Sequence, residues 1–186
     1  MTTAYSHTPR PIGGAISFEL REDRLTVDVG RKAVEIPLAS VEEVRMTYEP
    51  RNLAQKAFRT RLRLKGGKSF SFTSVDWKSR IDARSLDREY RAFTRTLLDA
   101  VARANPQARF VAGRSRAAWI ATAALAVLSL VAMVAFTFRA LQAGATAAAA
   151  LAVVVALIGI WQLEPMVRLN KPRSFTPDEP PPELMP

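Results

Sequence analysis

The chain contains no cysteine and a single histidine, His7, among its 186 residues. The first absence excludes a disulfide framework and a thiolate metal site. The second leaves no way to assemble a Ser-His-Asp triad or a His-based metal centre. Charge is missing in two long stretches: Ala117 to Phe138 and Ala140 to Leu163 carry no Asp, Glu, Lys or Arg, and Arg139 alone separates them. Residues 1 to 15 lack the apolar core of a signal peptide, so export by a cleaved signal is not expected, and the first apolar stretch itself would act as the targeting signal. Residues 1–14, in which His7 precedes two prolines and two glycines, read as a disordered, solvated N-terminal tail.

What is present is unevenly placed. The chain has 27 Lys plus Arg against 17 Asp plus Glu. Residues 1–116 contain 23 basic and 13 acidic side chains, whereas 117–186 contain four of each. A mean hydropathy near zero therefore averages a polar, basic part with an apolar one.

At about 1.5 Å per residue, the first charge-free stretch spans roughly 33 Å as a helix, enough for a hydrocarbon core of about 30 Å. Two transmembrane helices are expected, at 117–138 and 145–163. The short connection from Arg139 to Gly144 makes them an antiparallel hairpin with both ends on one side. Arg103, Arg109, Arg114 and Arg116 precede the first span, and Arg168, Lys171 and Arg173 follow the second. By the positive-inside rule both termini are cytoplasmic. Trp119 and Trp161 then meet the same interface, where an amphipathic ring prefers to sit.

Small residues recur along each span. Ala118, Thr122, Ala126, Ser129 and Ala132 mark one face of the first, and Gly144, Ala148, Ala152, Ala156 and Gly159 one face of the second. Close backbone approach drives helix association in lipid, so these faces are expected to pack on each other or on a partner subunit. No ionisable residue lies within either span, which argues against a proton relay or ion pathway.

Residues 15–75 read as six short strands. Ile16, Phe18 and Leu20 alternate with polar residues, Arg21 to Arg24 turns the chain, and Leu25, Val27 and Val29 complete a hairpin. Val34 and Ile36 follow, then Val41 to Tyr48, and Arg51 to Ala57 reads as a polar loop. Leu62 and Leu64 precede Gly66-Gly67, a hairpin signal because both central residues of such a turn need positive φ. Phe70 and Phe72 come after it. A helix capped by Ser85 runs to about Ala104, with Leu86, Tyr90, Phe93, Leu97 and Val101 on one face and Asn105-Pro106 ending it.

Meandering strands closed by one amphipathic helix resemble the pleckstrin-homology (PH) fold, and a PH-like domain joined to hydrophobic helices is similar to small bacterial PH-like membrane proteins. The resemblance rests on Phe18-Glu19-Leu20, on Ile36 to Val44 and on the Tyr90-Arg91-Ala92-Phe93 helix. It implies an α+β chain: a cytoplasmic PH-like sheet or barrel with a C-terminal helix over 15–106, then the transmembrane hairpin. It also implies a binding module without chemistry. In PH domains that bind phosphoinositides the first hairpin loop is basic; here Arg21-Glu22-Asp23-Arg24 cancels, so specific inositol-phosphate binding is not expected.

Other constellations carry little. Gly67-Lys68-Ser69 imitates the end of a phosphate-binding loop, but Leu62 stands where its first Gly belongs, and the segment lies between strands. Glu42 and Glu43, as neighbours on a strand, are expected on opposite faces. No catalytic constellation, metal site, cofactor or small-molecule substrate is expected.

The sharpest feature is Arg59, Arg61, Arg63 and Lys65, which alternate along one strand, with Lys68 across the turn and Arg114 and Arg116 in a basic linker, 107–116, before the membrane. One reading is a strand face kept soluble by charge. The other is contact with anionic headgroups, worth about 1 kcal/mol per basic residue. Nucleic acid is a weaker alternative, since stacking aromatics are lacking.

The segment 164–186 is proline-rich and reads as an extended, mobile cytoplasmic tail whose Leu184 and Met185 could dock on another protein. An excess of Arg over Lys and abundant Ala point to a GC-rich bacterial genome, hence the inner membrane. The expected function is a membrane scaffold or accessory subunit that binds a protein partner, or a second copy, and an anionic lipid surface. A regulator or enzyme subunit that needs a second protein is the alternative.

Overall fold

The structure, a computed structural model, describes residues 2–10, 13–30, 32–50, 55–79 and 82–186. Of the polar loop read at 51–57, residues 51–54 lie outside the described residues. The chain divides into two units, Met1–Gly113 together with Arg173–Pro186, and Arg114–Pro172.

The first unit is an α+β fold. β1 (Thr3–His7), β2 (Ile16–Arg21), β3 (Arg24–Asp28) and β4 (Ala33–Pro37) form an antiparallel meander. A 3-10 turn, Leu38–Ser40, leads to a second meander of β5 (Val41–Tyr48), β6 (Phe58–Leu64) and β7 (Ser69–Thr73). β8 (Val75–Trp77) and β9 (Ala83–Ser85) pair with each other, and α1 (Asp87–Ala104) follows. β10 (Arg109–Ala112) then joins β5 in parallel, and β11 (Arg173–Ser174) joins β10 antiparallel, giving the order β11-β10-β5-β6-β7.

Period-two alternation explains the sheets. Phe18, Leu20, Leu25, Val27, Ile36, Val44, Met46, Leu62 and Phe72 are all buried, and the residues between them turn outward. Gly66 and Gly67 adopt φ of 89° and 84°, the left-handed pair that a tight β6–β7 hairpin requires. α1 lays Tyr90, Phe93, Leu97 and Val101 into the core. Its N-cap is Leu86, not the expected Ser85, because Ser85 is taken up by β9 in register with Val75. Asp87 and Glu89 in the first turn complement the helix dipole where no side-chain cap forms.

An aromatic cluster fills the centre. Phe72 meets Phe93 edge-on at 5.2 Å between centroids, and Tyr5 stacks on Phe93 at 5.4 Å. Phe18 contacts Phe72, and Tyr90 contacts Phe72 and Tyr5. The Tyr5 hydroxyl donates to the Thr73 carbonyl at 2.6 Å, and the Tyr90 and Thr60 hydroxyls lie 2.7 Å apart. Burial pushes both phenols well above the ordinary tyrosine range, with nearby acidic groups adding to the effect on Tyr5.

A pH dependence follows. A group whose folded-state pKa is raised stabilises the fold fully below its unfolded pKa, and the stabilisation fades as pH rises above it. Unfolding free energy should therefore fall above about pH 10, by about 1.4 kcal/mol per pH unit for each of the two tyrosines. Burial raises Tyr48 as well, so Tyr5→Phe should remove about 1.4 kcal/mol per pH unit from that slope and leave the rest, as read from urea midpoints at a series of alkaline pH values.

Three expectations about the chain ends change. Residues 3–7 are not a disordered tail: β1 pairs with β2 from Thr3↔Leu20 to His7↔Ile16, which turns Tyr5 and His7 into the core. His7 is buried, with its ring stacked on Phe18 at 5.8 Å. The linker read at 107–116 contains β10, whose Phe110 and Ala112 are buried. The proline-rich tail is folded onto the first unit: after β11, the Phe175 amide donates to the Phe110 carbonyl at 3.1 Å, and a 3-10 turn, Pro182–Leu184, buries Leu184 completely. Among the described residues the first unit thus has seven strands in its two meanders where six were read, and two short pairings beyond them.

The second unit is a helical hairpin, α2 (Arg116–Gln142) and α3 (Thr146–Arg168); α2 is longer than the charge-free stretch that announced it, and α3 starts inside its stretch and runs past its end. Ser115 caps α2 by accepting from the Ala118 amide. Gly144, at φ 70°, turns the chain between the helices while the amides of Ala143, Gly144 and Ala145 close onto the last carbonyls of α2. The Trp119 indole donates to the Val167 carbonyl at 2.8 Å and ties the start of α2 to the end of α3. Both helices are long and apolar enough to cross a membrane. Their large side chains lie open: Leu125, Leu128, Leu151 and Trp161 are each 65% exposed, unlike those of a core helix in a soluble protein.

Candidate functional site

The outer face of the five-stranded sheet gathers the charge of the first unit. β6 directs Thr60, Leu62 and Leu64 inward, which leaves Arg59, Arg61 and Arg63 on the outside. The register sets Arg63 opposite Glu43, Arg61 opposite Arg45 and Arg59 opposite Thr47 on one side, and Ser69, Ser71 and Thr73 opposite them on the other. β10 adds Arg109 beside Glu43.

Glu43 is the hub. Its side chain is only 9% exposed. Arg45 donates to one oxygen through two nitrogens at 3.0 and 3.2 Å, and Arg109 donates to the other at 3.0 Å. Arg63 stands 3.8 Å away and is also 3.8 Å from Glu42. A β-bulge between Val41 and Glu43 lets both neighbouring carboxylates reach the same arginine, so the expectation that they face opposite sides does not hold here. Arg45 also donates to the Gly113 carbonyl at 3.0 Å, so one carboxylate and one guanidinium tie β5, β6 and β10 together at the end of the unit.

The basic stripe is therefore not uniform. Arg59 pairs with Glu49 at 2.9 Å, and Arg63 sits between two carboxylates. Arg61, Lys65 and Lys68 are exposed and enter none of the ion pairs formed by the described residues. Arg61 faces Arg45 across the ladder, where Glu43 already compensates the Arg45 charge. Arg114 and Arg116 belong to the second unit, Arg116 as the first residue of α2. In the first hairpin, Arg21 pairs with Glu19 and Arg24 with Glu35, so that loop offers no concentrated positive charge. Sequence reading found the stripe and missed its hub; the outward alternation of Glu43, Arg45 and Thr47 carried the signal for two of its members.

In the hairpin, Ala148, Ala152, Ala156 and Gly159 lie at the less exposed positions of α3, and Ala149 joins them, buried. On α2 the corresponding positions are Trp119, Thr122, Ala123, Ala126, Met133, Thr137 and Ala140. Ala118, Ser129 and Ala132 are exposed, and Gly144 is in the turn. On α2 the less exposed positions Trp119, Ala126, Met133 and Ala140 recur every seven residues. Ala126, Ser129, Met133, Ala156, Gly159 and Ile160 border an apolar groove of about 440 Å³.

Among the described residues no three His, Asp or Glu side chains gather to hold a metal ion. Comparison of the chain with protein-family models, curated proteins and solved structures gives no match.

Proposed function

We propose that the chain is a multi-pass protein of a bacterial inner membrane that presents a PH-like binding module at the cytoplasmic face, a scaffold or accessory subunit acting through binding and not catalysis. One observation carries this reading. The chain leaves the first unit at Gly113 and rejoins it at Arg173, which pairs with Ala112 across β10 and β11. A folded unit occupies one side of a bilayer, so an excursion that begins and ends in it crosses an even number of times. Two apolar helices supply two crossings.

The PH-like reading draws support from the four-strand meander, the three-strand meander and the helix that follows them. Fold leaves the ligand open. The outer sheet face supplies the ligand chemistry: exposed cations with no carboxylate beside them, suited to anionic headgroups.

The chain has no cysteine of its own, so single cysteines test the topology cleanly. Cysteines at Glu22, Gln142 and Asp178 should divide two to one under an impermeant maleimide, with Glu22 and Asp178 labelled from the cytoplasmic face and Gln142 from the other. Labelling of Glu22 and Asp178 from opposite faces would refute the proposal.

The lipid contact can be tested apart from the anchor. β10 and β11 are antiparallel neighbours, so an Asn-Gly turn in place of residues 113–172 yields a chain without the hairpin. Changing Arg61, Lys65 and Lys68 to Gln in that chain should weaken binding to anionic vesicles about 100-fold at low salt. Changing Arg59 and Arg63, already engaged by carboxylates, should cost far less. Equal losses for the two sets would count against headgroup contact.

A further inference from the structure

The outward side of α1 carries charge that the fold leaves unused. At about 100° per residue, Arg88, Arg91, Arg95 and Asp99 fall within an arc of about 80°, a row of three cations and one carboxylate along three turns. All four side chains are exposed, and none enters an ion pair among the described residues. The row weakens the helix that bears it. Arg88 lies in the first turn, where the helix dipole favours an acid, and Arg91 has a like charge three residues before it and another four residues after. A local rule broken with no compensating contact inside the chain points to a contact outside it.

Two observations indicate what kind of contact. α1 and the five-stranded sheet meet through their inner sides, Tyr90 against Thr60 and Phe93 against Phe72, so the row points away from Arg61, Lys65 and Lys68. A flat bilayer engaged by the sheet face cannot at the same time cover α1. The acceptor that the structure does bring to the row is a polypeptide oxygen, since Arg91 donates to the Pro186 backbone oxygen. Ala92, exposed between Arg88 and Arg95, leaves room for a second backbone, and the aromatic rings of α1, Tyr90 and Phe93, are buried on its other side, out of reach of a stacking base.

We propose that the outward side of α1 is the docking surface for the protein partner of the scaffold, and that this partner presents a helix of reversed charge pattern, three carboxylates and one cation at the same spacings. The surface rests on the scaffold proposal for the existence of a partner and gives that partner its chemistry. A guanidinium pairs with a carboxylate through two parallel hydrogen bonds, which adds direction to attraction. Asp99 sets the register, because a partner shifted by one turn would bring a carboxylate against it.

The probe is a helical peptide in which Glu, Glu, Glu and Lys repeat the spacings of Arg88, Arg91, Arg95 and Asp99, compared at low salt with a scrambled peptide of the same composition. The full chain in non-ionic detergent should bind the patterned peptide about tenfold more tightly than the scrambled one. Arg88→Gln together with Arg95→Gln should weaken that binding about tenfold and leave the urea midpoint unchanged or higher, since like charges are removed. Arg61→Gln, Lys65→Gln and Lys68→Gln together should change it by no more than about twofold. Asp99→Lys should shift the preference to a peptide with Glu in place of its Lys. Equal binding of the two peptides, or equal losses from the two sets of substitutions, would reduce the effect to net charge and overturn the docking surface. Tighter binding of a short single-stranded RNA, lost with Arg88 and Arg95, would overturn it in favour of nucleic acid. Absence of peptide binding, while cysteines at Glu22 and Asp178 still label from one face, would overturn the docking surface and leave the anchored scaffold in place.

Discussion

Replacing Tyr5 by Ala should destabilise the first unit by about 3–5 kcal/mol, the range for deleting a large buried aromatic. Tyr5 is 3% exposed and contacts Phe72, Tyr90 and Phe93. Tyr5→Phe, which keeps the ring and removes the bond to the Thr73 carbonyl, should cost about 1 kcal/mol. The chain with residues 113–172 replaced by a turn keeps Trp77 as its sole tryptophan, so urea unfolding followed by indole fluorescence reads both values. A solvated N-terminal tail would give no change for either variant. Two midpoints at the wild-type position would show that β1 does not belong to the fold.

The second large effect is expected at Glu43. Glu43→Ala removes the acceptor for Arg45 and Arg109 and the countercharge for Arg63, and it leaves three guanidinium groups together on one sheet face. Stranding charges in this way should cost about 2–4 kcal/mol, somewhat less than for a fully buried pair because Arg63 and Arg109 still reach water. Glu19→Ala, which breaks an exposed pair with Arg21, should change stability by no more than about 0.5 kcal/mol. Hydrogen exchange should locate the Glu43 effect, with faster exchange along β10 and at Gly113. An equal response at Glu19 and Glu43 would reduce the hub to ordinary surface charge.

Much of this architecture was written in local pattern. Phe18-Glu19-Leu20 and Leu62-Arg63-Leu64 announce half-buried strands, Gly66-Gly67 announces the hairpin, and Tyr90, Phe93, Leu97 and Val101 announce one helix face. The long uncharged runs announce α2 and α3 as directly. The misreadings share a cause. Thr3–His7, Arg109–Ala112 and Arg173–Ser174 are strands of two to five residues beside prolines, glycines or charges, and each exists because a distant strand supplies its ladder. Composition could not show that Leu184 has a socket, since the Pro182–Leu184 turn packs against β5, far away in sequence. The basic stripe was visible by alternation, whereas its division into neutralised and open cations depends on the bulge at Val41 and on Glu49 meeting Arg59, both tertiary facts.

The pairing of Ala112 with Arg173 gives biogenesis a checkpoint. On the proposed topology, when α2 emerges from the ribosome the first unit still lacks its outermost strand and the buried Leu184. Those parts arrive only if α3 turns back toward the side from which α2 set out. A nascent chain whose second helix stalls, or threads the wrong way, strands its final segment and leaves a naked strand edge above an empty apolar socket. Such a surface is what chaperones and proteases bind, so on the proposed topology the first unit reports whether the hairpin has threaded correctly.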